Sequence, residues 1–112
     1  MAFDKSPLTV IRSPVAIDEL HDIWLWNARH YGATHADNYL RYLTENIVKL
    51  ASNYAKGRLV GTRPDLRYIV VRRRAKGHGH LVVYNFDDKE VHVLHIFHTA
   101  QDWQTKLADE PQ

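Results

Sequence analysis

Residues 33–57, ATHADNYLRYLTENIVKLASNYAKG, decide the fold. Ala36, Leu40, Leu43, Ile47, Leu50 and Tyr54 recur there at alternating steps of four and three. Such steps return to the same side of a 3.6-residue turn, so the spacing predicts one long helix with a continuous apolar seam. Thr34 and Asp37 have the spacing of a capping box with a shortened acid, and Gly57 supplies a stop. A seam of this length has to be covered by a second layer.

Upstream, Ser13-Pro14 marks another helix start. A serine side chain can accept from the free N–H groups of a first turn, and proline loses nothing at the first helical position. Asp18 and Glu19 follow near the positive end of the helix dipole. Ala16, Leu20, Ile23 and Asn27 lie on one stripe with Trp24 beside it, and Gly32 offers the left-handed conformation that closes a helix. The short Gly32-Ala33 link makes the two helices an antiparallel hairpin. Ahead of it, residues 8–11 form a short β-prone run.

Downstream, residues 58–66 contain Gly61 and Pro64 and are expected to be loop. Three strand-like runs follow at 67–73, 80–86 and 90–97, separated by Gly77-His78-Gly79 and Asp87-Asp88-Lys89. Both separators are turn-forming, so an antiparallel meander is expected. Thr99 and Asp102 again have capping-box spacing, before a short helix around Trp103 and Leu107. The expectation is one α+β domain over residues 1–112. It has an N-terminal strand, an antiparallel helical hairpin on a mainly antiparallel four-stranded sheet, and a short C-terminal helix. Periodicity leaves open whether the first strand joins at an edge or in the centre.

Composition agrees with such a domain. The 112 residues are 45% hydrophobic and 25% charged, enough apolar material for a core and too much for disorder. Cysteine is absent, which excludes disulfides and thiolate metal sites and suits a reducing cytoplasm. No apolar run approaches the roughly 20 residues that span a bilayer. The segment from Met1 to Ser6 carries Asp4 and lacks the apolar core of a signal peptide, so a cytoplasmic protein with no membrane association is expected.

Charge is uneven. Between Lys49 and Lys76 stand nine basic residues against Asp65 alone, a local charge of +8 that leaves the rest at −6 in a chain of net +2. Such asymmetry predicts an anionic partner, nucleic acid or acidic protein, for one face.

The chain resembles the ParE toxins of the ParE/RelE toxin–antitoxin superfamily. Their first-helix pattern, Ser-Pro-x-Ala-x-x-acid-Leu-x-x-Ile, is matched by Ser13, Pro14, Ala16, Glu19, Leu20 and Ile23, and the aromatic-Gly ending is similar to Trp26, Tyr31 and Gly32. The second helix is similar through Ala36, Tyr39, Leu43, Ile47, Leu50 and Ala51. A His-(apolar)₃-Tyr strand is matched by His80 to Tyr84, and the ending by Ile96-Phe97-His98 with Asp102. The likeness runs from about Leu8 to Trp103 and rests on order and spacing together. One departure is His95, close to where family members commonly carry an arginine. The resemblance implies a toxin that inhibits DNA gyrase by protein binding and is neutralised by a cognate ParD-like antitoxin in a hetero-oligomer. RelE relatives instead cleave messenger RNA on the ribosome, and a decayed toxin that only binds its antitoxin is a third possibility.

Candidate residues follow from chemistry. A nuclease would need acid–base groups, for which His98 and His95 are available, but the set is incomplete and a binding protein is favoured over an enzyme. Strand alternation puts His92 and His98 on one face and His95 on the other, with His92 and His98 about 20 Å apart. No metal site and no cofactor are therefore expected. Arg72, Arg73 and Arg74, extended by Arg63 and Arg67, are candidates for gripping carboxylate or phosphate, because the guanidinium fork binds both in a bidentate manner. Trp24 and Trp26 are about 200° apart on a helix, so at least one is exposed as a hydrophobic contact for an antitoxin helix. Tyr31, His98 and Trp103 complete the partner-binding set, with Tyr42 a lesser candidate. Sequence-specific DNA binding by the toxin alone is not expected.

Overall fold

The computed structural model describes residues 6–73 and 78–110. Strand β1 (Thr9–Arg12) leads into helices α1 (Pro14–Tyr31) and α2 (Ala33–Val48), then a short α3 (Leu50–Asn53) and a 3-10 turn (Tyr54–Lys56). Strands β2 (Arg58–Val60), β3 (Arg63–Val71), β4 (His80–Phe86) and β5 (Glu90–His98) follow, and α4 (Trp103–Ala108) ends the fold. The α+β expectation holds, with a mixed sheet of five strands rather than four, in the order β1-β5-β4-β3-β2. Only β1 runs parallel to its neighbour, β5, and it lies at the edge.

The fifth strand corrects the loop expected over 58–66. Arg58–Val60 pairs with β3, which begins at Arg63 and therefore contains Pro64. The ladder slips between Leu59, opposite Arg67, and Val60, opposite Arg63. Residues 64–66 are thereby left outside the pairing with β2, where a missing proline N–H costs no ladder bond.

Ser13 caps α1 as its sequence predicts, accepting from Ala16 N–H at 3.0 Å, and its hydroxyl also donates to Leu94 O on β5. Gly32 takes φ +94, and the described residues contain no other positive φ. Three local expectations fail, two of them because distant groups compete. The first turn of α1 has no acid, and Glu19 turns instead to β5, accepting from Ile96 N–H at 2.9 Å. Thr34 and Asp37 form no capping box, since the N-cap of α2 is Gly32 and Asp37 accepts from Trp24 Nε1. Thr99 does not cap α4 either; its hydroxyl accepts from Gly79 N–H, and Asp102 at the N-cap makes no side-chain bond.

The long seam runs across α2, α3 and the 3-10 turn, breaking step at Lys49 instead of continuing as one helix to Gly57. Leu43, Ile47 and Leu50 join Ala16 and Leu20 of α1 against Val71, Val82, Tyr84, Val91, Val93 and Ile96 of the sheet. A second cluster on the opposite face gathers Val60, Leu66, Val83, Phe97 and Leu107 beneath α4. Tyr84 is fully buried and stitches the layers together: Tyr84 Oη donates to Tyr54 O at 2.8 Å and accepts from Gly57 N–H at 3.1 Å. Any side chain at position 57 would run into that hydroxyl.

One irregularity in β5 reorients the histidines. Val83 pairs with His95 but Tyr84 pairs with Val93, so Leu94 is an extra residue. A bulge of one residue reverses strand parity beyond it. His92 and His95 consequently share the α4 face, while His98, opposite His80, lies on the helical face, contrary to simple alternation. Among the described residues no helix is long and apolar enough to cross a membrane.

Candidate functional site

The first exposed surface is the tip of the helical hairpin. Trp26 and Tyr31 are 52% and 62% exposed, the largest aromatic areas left open among the described residues. Trp26 stacks on His30 with ring centroids 4.0 Å apart, and Tyr31 lies 4.7 Å from His35, so four rings form a continuous ladder. Trp24 diverges from Trp26 as the helical rotation requires. It is half-buried, tied to Asp37 at 2.8 Å, and lines a shallow groove of about 710 Å³ with Leu40, Thr44 and Val48.

The second surface is cationic. Arg72 and Arg73 leave β3 exposed, and the Arg73 guanidinium lies 5.8 Å from the Tyr39 ring and 5.5 Å from the Tyr42 ring. Tyr42 Oη donates to Arg72 O at 2.6 Å, which fixes the chain where the two arginines emerge. Arg74 lies outside the described residues. Arg63 and Arg67 do not extend this patch, because both are engaged near the other end of β3. Arg63 pairs with Asp65 at 3.1 Å, and Arg67 donates to Gly57 O at 2.8 Å while lying over Phe86.

The histidines divide into two environments. His95 is held between carboxylates, with Nε2 2.6 Å from Glu110 and Nδ1 3.3 Å from Glu19, and it stacks on Phe97. The hydrogen bond to Glu19, supported by both negative charges, raises its pKa. His98 instead neighbours His78 and His80. Burial, then the proximity of His78, lowers the His98 pKa. His80 is buried and its pKa falls to about 4, through burial and then repulsion from His98. Tyr39 Oη meets His80 Nδ1 at 2.5 Å, and burial pushes its own pKa up to about 12. Trp103 is half-buried, packing on Tyr68 at 4.8 Å in the second core cluster.

Sequence reading missed Glu110 and the roles of Tyr39, Glu19 and His80. The His80-to-Tyr84 motif was the available signal: its two polar ends reach Tyr39 on α2 and Tyr54 after α3. It also missed that carboxylates lie near His92, where Asp87, Glu90 and His92 place one ligand-type atom each within 4.8 Å of one another. Asp87 Oδ1 is already used there, accepting from Lys89 and Glu90 N–H in the hairpin turn.

Known proteins place this architecture. The chain is similar to a chain of a solved structure described as a chromosomal ParDE TA system from P. aeruginosa, with a TM-score of 0.70 and 16% identity. That likeness covers 82% of this chain and 96% of the other, and shows a shared fold. No curated protein matches the chain. A family model for the ParE toxin of the type II toxin–antitoxin system parDE matches residues 10–103. With the model spanning β1 to the start of α4, this chain belongs to the ParE toxin family.

Proposed function

We propose that this protein acts in the cytoplasm as a growth-arresting toxin that inhibits DNA gyrase by binding it, and that a ParD-like antitoxin neutralises it. The observation that carries this reading is the disposition of side chains. Trp26, Tyr31, Arg72 and Arg73 face outward, while His95, one of two nuclease candidates, is held between Glu19 and Glu110. Exposed aromatic and arginine side chains are the residue types that dominate protein–protein binding energy. An acidic antitoxin tail, disordered when free, would lay an apolar face along the hairpin and its carboxylates on the arginines.

Purified components test the proposal. The expected result is inhibited gyrase supercoiling with translation intact, relieved by an equimolar antitoxin. Messenger cleaved on ribosomes with gyrase untouched overturns it, as does a toxin inert in both assays.

A further inference from the structure

Three imidazoles stand in a row where β4 begins and β5 ends. The rings of His78 and His98 are 5.2 Å apart, and those of His98 and His80 are 5.3 Å apart. Each has its δ nitrogen committed. Ala100 N–H donates to His98 Nδ1 at 3.1 Å, which places the proton of the neutral ring on Nε2. Thr99 Oγ1 accepts from Gly79 N–H at 3.0 Å and lies 3.4 Å from His78 Nδ1. The Tyr39 phenol has His80 Nδ1 as its hydrogen-bond partner among the described residues, and donates to it.

Neutral His98 therefore presents an Nε2–H donor, and so does His80 with the Tyr39 phenol donating to its Nδ1. That disfavours coordination of a metal through the Nε2 atoms of His98 and His80, since a ligating imidazole offers a lone pair there and directs its other N–H to an acceptor. Donors call for an anion. The titratable and charged groups around the row are Tyr39 and Tyr42 from α2, Arg72 and Arg73 beyond β3, and the three histidines; no carboxylate contacts it among the described residues.

We propose that this histidine row, flanked by Arg72 and Arg73, binds the phosphate groups of a nucleic-acid strand. Donors on separate rings about 5 Å apart, with two arginines beside them, suit an anion repeated along a backbone. Burial, then repulsion from His98, disfavours the charged form of His80, and burial, then the proximity of His78, does the same for His98, whereas a phosphate beside them favours protonation. The proposal does not rest on the gyrase reading, since contacts to a backbone require no protein target, but it shares Arg72 and Arg73 with the antitoxin contact, so a strand and an acidic tail would compete for them.

The test follows the side-chain nitrogens of the full chain by ¹H–¹⁵N NMR at constant ionic strength and varied pH. The probes are a short single-stranded oligonucleotide, inorganic phosphate and a glutamate-rich peptide, each added separately. The oligonucleotide is expected to raise the pKa of His98 by about one unit or more, with His78 responding alongside, while His92 and His95 on the other face stay still. His98→Asn and the surface variant His78→Asn should each weaken oligonucleotide binding, His98→Asn by about tenfold. Because His78 is exposed, its variant leaves the fold intact and keeps the test decisive. An unmoved row, an equal response to the glutamate peptide, or a response to inorganic phosphate without one to the oligonucleotide overturns the proposal.

Discussion

At His80 a single buried ring makes the protein sensitive to acid. Its pKa is about 4 in the fold against 6.5 for an unperturbed histidine, so an unfolded chain takes up a proton that the native state refuses. The stability from keeping this ring neutral is complete above pH 6.5 and is lost as pH falls towards about 4. The gap corresponds to on the order of 3 kcal/mol. Urea denaturation between about pH 4.5 and 7 should show wild type losing stability on acidification, and His80→Gln a shallower slope. Parallel slopes would assign the acid sensitivity to other groups. The sequence displayed His80 as part of a motif, but its partner Tyr39 lies 41 positions away and nothing local connects them.

At the scale of elements, α4 is six residues long, too short to persist without tertiary contacts. Leu107 buries it against the sheet, and just beyond it Glu110 grips His95, which Glu19 of α1 holds from the other side. Because the His95 pKa is raised, the clamp is fully present below pH 6.5 and weakens as pH climbs through the raised value. The pair is partly exposed, so its worth is no more than about 1 kcal/mol. Thermal unfolding between about pH 6 and 9 should show this loss in wild type and a flatter profile in His95→Arg, which keeps its charge throughout. An equally steep profile in His95→Arg would remove the clamp as the cause. Position 95 was visible as a departure, but the two carboxylates were not, since Glu19 lies 76 positions upstream.

At the scale of the whole molecule, Trp26, Tyr31, Arg72 and Arg73 lie outside both core clusters, so they can be altered without disturbing the fold. Replacing Trp26 and Tyr31 together by Ala should leave the melting temperature nearly unchanged and weaken antitoxin binding by about thirtyfold or more, the scale of interface hot spots. Calorimetric titration of the antitoxin into the variant measures this, and an unaltered affinity would take the hairpin tip out of the interface. The sequence by itself determined the two helices, the meander and the outward-facing tryptophan, because periodicity, caps and turn residues act within a few positions. Only the tertiary structure decided the edge position of β1, the fifth strand around Pro64, the parity-reversing bulge at Leu94, and the internal pairing of Arg63, Arg67 and His95. Strand pairing and ion pairing are settled by which groups meet in space, and neighbouring residues carry no record of that choice.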